Sequence, residues 1–442
     1  MSPRRIRAAL LVLLALTGTD ASRAEDLLQA YAHALTSDPV LAQVQASLDA
    51  DLQGKPLARS ALLPHVAMAA GEAKNNAGIT GFGLPISSYY ISNSFSVTLT
   101  QAILNGQAMT ALSQADNRVQ AAEAALVYAQ QQLALKVVNA YFGVLQARAL
   151  EKVAQEELTL FDNINDQTKA TLDVGTGDAI AVAESRARLD AAQSDLIKAR
   201  NAVRVALRTL ERLTHQPVPS LQDLGLFEPL LPQPDQSESW VETALANQPL
   251  VREGEAQLRL AQDETDFNRR ARWPVVNLEG ITQHTLGTPF PSLDINQRGV
   301  GVNLSMPLFD SGQISASVDQ AEARRRAAQN ALANVRDQVT LDTQTAFLNL
   351  QDSVAQLRSA DTALNSAKVS LDGTRTGFEI GTRSIIDLLN VAAGYIRAEQ
   401  DYHIARYTHV MARIGLKAAS GLLTRADLES VNALLDHAQA PH

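Results

Sequence analysis

The spacing of hydrophobic and polar positions changes several times along the chain, and each change marks an element. Ile91, Phe95, Val97 and Leu99 alternate with Ser92, Ser94, Ser96, Thr98 and Thr100. Val300, Val302, Leu304 and Met306 alternate with Gly301, Asn303 and Ser305 in the same way. A period of two over about 10 residues predicts a strand with one apolar and one polar face. Such a strand belongs either in a membrane barrel or in the half-buried hairpin of a soluble domain. Shorter alternations at Val66, Met68 and Ala70, and at Val276 and Leu278, predict a partner strand for each. Between partners lie stretches rich in Gly, Pro, Ser and Asn, about 74–90 and 282–297, which read as loops.

Helical patterns fill most of the rest. Two proline-free stretches, about 105–172 and 311–378, are rich in Ala, Gln, Leu, Arg and Glu, all good helix formers. At 1.5 Å per residue each would reach about 100 Å, too long for an ordinary globular domain. Gly175 and Gly177 end the first, and Gly377 and Gly381 the second, as expected of left-handed C-terminal residues. A helix then runs back over about 179–213 and 384–420. In the first of these, closely spaced Ala187, Ala191, Ala192 and Ala199 permit close helix approach. Shorter helices, about 26–60 and 238–271, precede the strands and stop before Leu63-Pro64 and Trp273-Pro274, since a residue before proline is pushed out of the helical region.

The plan occurs twice because the sequence does. Ala34-Leu35 and Pro39-Val40 return 210 residues later as Ala244-Leu245 and Pro249-Leu250. At an offset of 206, Ala140-Tyr141-Phe142 matches Ala346-Phe347-Leu348, and Val174-Gly175-Thr176 matches Ile380-Gly381-Thr382. A near-constant offset over such a span marks a tandem duplication. The chain divides into residues 1–24, a first repeat over 25–215, a proline-rich linker over 216–237, a second repeat over 238–425, and a tail over 426–442.

Composition narrows the class. The first 24 residues carry Arg4, Arg5 and Arg7, an apolar run from Ala8 to Leu16, and Ser22-Arg23-Ala24 before a cleavage point, the pattern of a bacterial secretory signal. Its adjacent arginines also admit twin-arginine export. The rest has 34 basic and 46 acidic residues, a net charge of −12, which argues against nucleic acid as a partner. The 442-residue chain has no cysteine, which excludes disulfides, thiolate metal sites and an acylated N-terminal cysteine. No apolar run is long enough for a transmembrane helix, so any membrane passage must use closed β-structure. Eight scattered histidines match no metal or catalytic motif. His403 and His409 fall on different helix faces, and no HExxH, GxSxG or phosphate-binding loop occurs. No enzyme, cofactor or metal site is expected.

The order of these motifs resembles the TolC family of outer-membrane efflux and secretion channels over about residues 25–435. The resemblance is carried by Asp26-Leu27-Leu28 with Pro39, Ser60 to Pro64, Met306-Pro307-Leu308-Phe309 before Gly312, and Phe378 to Asp387. It implies a mixed fold: long helical hairpins form a periplasmic α-barrel, and four strands per chain join a transmembrane β-barrel completed by trimerisation. Implied partners are two further copies of the chain, a periplasmic adaptor, an inner-membrane transporter and outer-membrane lipid. The implied cargo is either small toxic compounds or a secreted protein. The rival reading is a soluble periplasmic coiled-coil adaptor, which leaves the duplicated strands unexplained.

The resemblance also implies sites. Phe378, Arg383, Asp387 and Asn390 would line the closed periplasmic entrance. From spacing alone, Arg383 and Asp387 are an i,i+4 surface ion pair and Asn390 shares their face. Asn390 replaces an aspartate of the family pattern, and Ala181 stands where the first repeat would supply another. The turns Val174-Gly175-Thr176 and Ile380-Gly381-Thr382 terminate helices and, by the resemblance, dock the adaptor. Phe95, Val97, Leu99, Val302 and Leu304 would face lipid.

Overall fold

A computed structural model describes residues 25–81, 84–218, 220–288 and 294–435. The secretory signal, the loop tips at 82–83 and 289–293, Pro219 and the last seven residues lie outside the described residues. The chain divides into two compact units, one of residues 1–41, 129–246 and 340–442 and the other of 42–128 and 247–339. Each unit therefore draws on both repeats.

Element order is the same in each half. α1 (Leu27–Ser37) and α2 (Pro39–Ser60) lead into strands β1 (His65–Gly81) and β2 (Leu84–Leu104), then α3 (Gly106–Asp173) and α4 (Ala179–Thr214). α5 (Ser237–Asn247) and α6 (Pro249–Arg270) lead into β3 (Val275–Leu286) and β4 (Ile295–Ser305), then α7 (Gln313–Glu379) and α8 (Ile385–Ala419). A short helix α9 (Arg425–Asn432) follows, capped by Thr424 and Asp427. The long helices fall within two residues of their expected limits.

Two expectations need correction. The leading helix of each half is broken in two, at Asp38-Pro39 and at Gln248-Pro249. Proline forces the preceding residue extended: Asp38 has ψ 117° and Gln248 has ψ 123°. The Asp38 carboxylate then accepts from the Leu41 amide at 2.7 Å, starting the next helix. The second correction concerns the stretches 74–90 and 282–297 read as loops. β1 and β2 continue pairing from His65↔Thr100 to Gly81↔Leu84, and β3 runs to Leu286 while β4 begins at Ile295. Backbone pairing does not require apolar side chains, so Gly, Ser and Asn extend the hairpins without announcing it.

The second unit holds the sheet, which is antiparallel in the order β1-β2-β3-β4. Directly paired residues share a face, so the register sorts the side chains. One face carries Val66, Met68 and Ala70 of β1, then Leu99, Val97 and Phe95 of β2. It continues through Leu278 and Val276 of β3 to Val300, Val302 and Leu304 of β4. The other face carries Ala67, Ala69 and Gly71, Thr98, Ser96 and Ser94, Gln283 and Thr285, and Gln297 and Gly299. The first face is mainly apolar, interrupted on β3 by Gly280, Thr282 and His284, and the other is mainly small or polar, with Ile281 the exception. Both outer strands, β1 and β4, have an unpaired edge among the described residues. Beside the sheet, α6 is tied to α7 by Arg269–Glu322 at 2.6 Å, Arg336–Glu255 at 2.8 Å and Arg324–Glu264.

The first unit has the deepest core. Tyr141, Phe142, Val137 and Val138 of α3 are fully buried with Leu210 of α4 and Tyr407 of α8. The proline-rich segment between the halves is strapped into this core. Val218, Leu221 and Leu224 are buried, and Glu25 and Leu435 form isolated β-bridges to Leu221 and Leu224. The Tyr141 hydroxyl donates to the carbonyls of Glu25 at 2.9 Å and Gln222 at 3.2 Å. Arg406 donates to the carbonyls of Leu224 and Gly225. These bonds satisfy backbone groups that an irregular segment would otherwise leave buried and unpaired.

Candidate functional site

The two hairpin turns repeat each other bond for bond. In the first, the Thr171 carbonyl accepts from the amides of Thr176 at 3.0 Å and Gly177 at 2.8 Å, and from the Thr176 hydroxyl at 3.2 Å. In the second, the Gly377 carbonyl accepts from the amides of Thr382 at 2.8 Å and Arg383 at 3.1 Å, and from the Thr382 hydroxyl at 3.0 Å. Gly175 and Gly381 take φ of 77° and 76°, a left-handed conformation that costs other residues about 1–2 kcal/mol. Gly177 and Gly377 behave otherwise than expected: neither takes a left-handed φ, and Gly377 lies inside α7. A Cβ there would stand 2.7 Å from the Arg383 Cγ, so its absence lets Arg383 fold back over the last helical turn.

Each turn exposes the same aliphatic pair. Val174 and Ile180 are 74% and 65% exposed, and Ile380 and Ile386, 206 positions later, are 70% and 49% exposed. Large apolar side chains left in water at four equivalent positions make a surface suited to a partner. Ile180 and Ile386 were missed in the sequence, although the offset of the duplication pairs them.

The expected entrance residues lie together at the start of α8, in an arrangement different from an i,i+4 pair. Arg383 precedes the helix, whose N-cap is Ser384. Asp387 closes a capping box with Ser384: its amide donates to the Ser384 hydroxyl at 3.1 Å, and its carboxylate accepts from the Ser384 amide at 3.1 Å and hydroxyl at 2.9 Å. These bonds, with Arg383 nearby, hold the Asp387 carboxyl below the usual aspartate range. Phe378 is half-buried against a cluster that joins the two hairpins. In it Phe161, Ile164, Leu189 and Ala192 of the first meet Leu388, Leu389 and Ala392 of the second.

Asn390 carries a polar link between the hairpins. Its Oδ1 accepts from the Arg188 guanidinium of α4 at 3.4 Å. Arg188 was not singled out in the sequence, where it is one of several arginines on a polar helix face. Ala181, on the same helix, offers no carboxylate, and the nearby Asp178 is used as the N-cap of α4, accepting from the Ile180 amide.

Phe95, Val97 and Leu99 stand on one face of β2, and Val302 and Leu304 on the same face of β4, within the apolar band. Among the described residues no group of three His, Asp or Glu side chains is placed to hold a metal ion. No described helix is long and apolar enough to cross a membrane.

The profile of the family described as outer membrane efflux protein matches residues 30–215 and 240–422. The outer membrane protein TolC of Escherichia coli is 28% identical, over 96% of this chain and 88% of its own. The alkaline protease secretion protein AprF of Pseudomonas aeruginosa is 26% identical, over 100% of this chain and 94% of its own. Among solved structures, the outer-membrane channel OprN superposes with a TM-score of 0.81 at 21% identity, over 91% of this chain and 93% of that one. With the family match covering both halves of the duplication, the chain belongs to the outer membrane efflux proteins, the TolC-type exit ducts of bacterial export systems.

Proposed function

We propose that three copies of the chain close their sheets into a single barrel through the outer membrane, and that the helical hairpins continue it as a periplasmic duct. The supporting observation is the sheet, with one mainly apolar face, one mainly polar face and, among the described residues, two unpaired edges. Open edges are not tolerated in lipid, and four strands are too few to close on themselves. The apolar band, including Phe95, Val97, Leu99, Val302 and Leu304, faces lipid, and the Ser/Thr/Gly face lines the duct.

In this reading the hairpin turns at Val174-Gly175-Thr176 and Ile380-Gly381-Thr382 receive a periplasmic adaptor, which couples the duct to an inner-membrane transporter. Phe378, Arg383, Asp387 and Asn390 form the entrance. The cargo is small toxic compounds, in keeping with the family's description as efflux proteins, or a secreted protein, in keeping with the protease secretion relative. In this reading the protein is a conduit and not a catalyst.

The test is fractionation followed by electrophoresis with and without heating. The reading expects the chain in the outer-membrane fraction, as a heat-dissociable species of three chains. A monomer in the soluble periplasmic fraction would favour an adaptor-like coiled coil instead.

A further inference from the structure

Full charges in the sheet are few and oddly placed. The described strands carry Glu72, Lys74, Glu279 and Arg298. Glu279 lies on the polar face, but Glu72, Lys74 and Arg298 share the face of the apolar band. All three stand on the outer strands, Glu72 and Lys74 on β1 and Arg298 on β4, while β2 and β3 place no charge on that face. Glu72 stands opposite Asn93 and Arg298 opposite Thr282, and neither neutral partner balances a charge. No ion pair joins Glu72 or Arg298 to another described residue.

The ladder fixes their heights. Followed across the sheet, Arg298 is level with Thr282, Val97 and Met68, and Ile295 with Thr285, Ser94 and Gly71. Straight across, the far end of β4 would therefore overhang the start of β1 by about four residues. Strands in a barrel tilt by about 35–45°. Crossing four strands about 4.8 Å apart at that tilt displaces the next copy along the strands by about 13–19 Å, or about four to six residues. In one sense this displacement carries β4 past β1 to the end of α2, with little strand left to pair. In the other it lays β4 wholly alongside β1. Keeping the apolar face continuous requires an even shift. A shift of six would oppose Arg298 and Lys74, two like charges. A shift of four opposes Arg298 and Glu72.

We propose that the edges of neighbouring copies recognise each other through an ion pair between Arg298 of one chain and Glu72 of the next, which sets the register of all three seams. The proposal rests on the trimeric barrel proposed above and adds how its edges find the right alignment. Opposite charges at the two edges favour this pairing, and Lys74 penalises the register one step further on.

Because the chain has no cysteine, engineered pairs report on the seam without background. Oxidised outer membranes carrying Glu72→Cys with Arg298→Cys should yield covalent dimers and trimers. Lys74→Cys or Met68→Cys, each with Arg298→Cys, should yield few. A dominant cross-link from either of the latter pairs overturns the register. A charge exchange guards against misfolding. Arg298→Glu and Glu72→Arg should each remove most of the heat-resistant trimer, and the double exchange should restore it. Loss with Arg298→Glu alone, unrescued, would assign Arg298 to lipid phosphate and overturn the pair. Wild-type trimers that neither cross-link in the first pair nor respond to the exchange also overturn it while leaving the barrel standing. Wild-type chains that form no trimer overturn the barrel itself.

Discussion

Arg188 on α4 donates a hydrogen bond to Asn390 on α8 across 3.4 Å, joining the two hairpins through residues 202 positions apart. It is the polar counterpart of the apolar cluster beside it, in which Leu189 meets Leu388 and Leu389. Exposed links of this kind are worth about 0.2–1 kcal/mol each, and three copies would add. Arg188→Ala or Asn390→Ala should therefore loosen the closed entrance and raise the resting conductance. Asn390→Asp should tighten it, because a carboxylate accepts from guanidinium more strongly than an amide does. A double-mutant cycle on closed-state conductance checks the link. Independent, additive effects of the two alanines would remove it.

The same region separates what the sequence displays from what it hides. Gly175 and Gly381 at the turns, the duplication and the alternation over 91–100 were all legible, because each is a local pattern with a local physical cause. The Arg188–Asn390 link was not, since nothing local to either residue names the other. Arg383 and Asp387 looked like an i,i+4 pair, and only the helix start at Ser384 removes Arg383 from that face. The Ser-x-x-Asp spacing was a usable signal, being that of a capping box. The strand ends at 74–90 were hidden for a different reason. A face lined by small polar residues has no hydrophobic rhythm to read.

The turns give a second prediction. Gly381→Ala should cost about 1–2 kcal/mol, from its φ of 76°. That loss should stay local and appear as faster hydrogen exchange at the Thr382 and Arg383 amides. Gly377→Ala has a different cause, displacing the Arg383 side chain instead of straining the backbone. It should reproduce the conductance of Arg383→Ala. Unchanged exchange and conductance in both variants would mean that the turns tolerate rearrangement.

Strand faces can be told apart by arginine. Val97→Arg, on the apolar band, should cost about 2–4 kcal/mol if it sits near the bilayer midplane and should deplete assembled protein. Ser96→Arg, one residue away on the polar face, should assemble and alter only conductance and ion selectivity. Equal depletion by both substitutions would contradict the assignment of lipid and duct faces.

Acid should weaken the first unit through His409. It is 2% exposed, its Nδ1 lies 2.9 Å from the Ser353 hydroxyl, and Phe227 stacks on its ring. Burial, with the Arg413 charge adding to it, lowers its pKa to about 4. The folded state thus favours neutral imidazole more than the unfolded state does, whose histidine titrates near 6.5. That advantage is complete above about pH 6.5 and is lost as pH falls towards 4, to the extent of roughly 3 kcal/mol. Glu399, raised chiefly by burial and then by the Glu156 charge, works in the opposite direction. His409→Gln should therefore flatten the decline in melting temperature between pH 6.5 and 4. A wild-type slope retained in that variant would place the titrating group elsewhere.

Conduction itself is the most direct test, measured as single-channel current across a planar bilayer containing the purified complex. Discrete steps are expected, small in the wild type and larger in Arg188→Ala and Arg383→Ala. A membrane-inserted complex that gives no steps, in the wild type or in either variant, would contradict the reading of this chain as a duct.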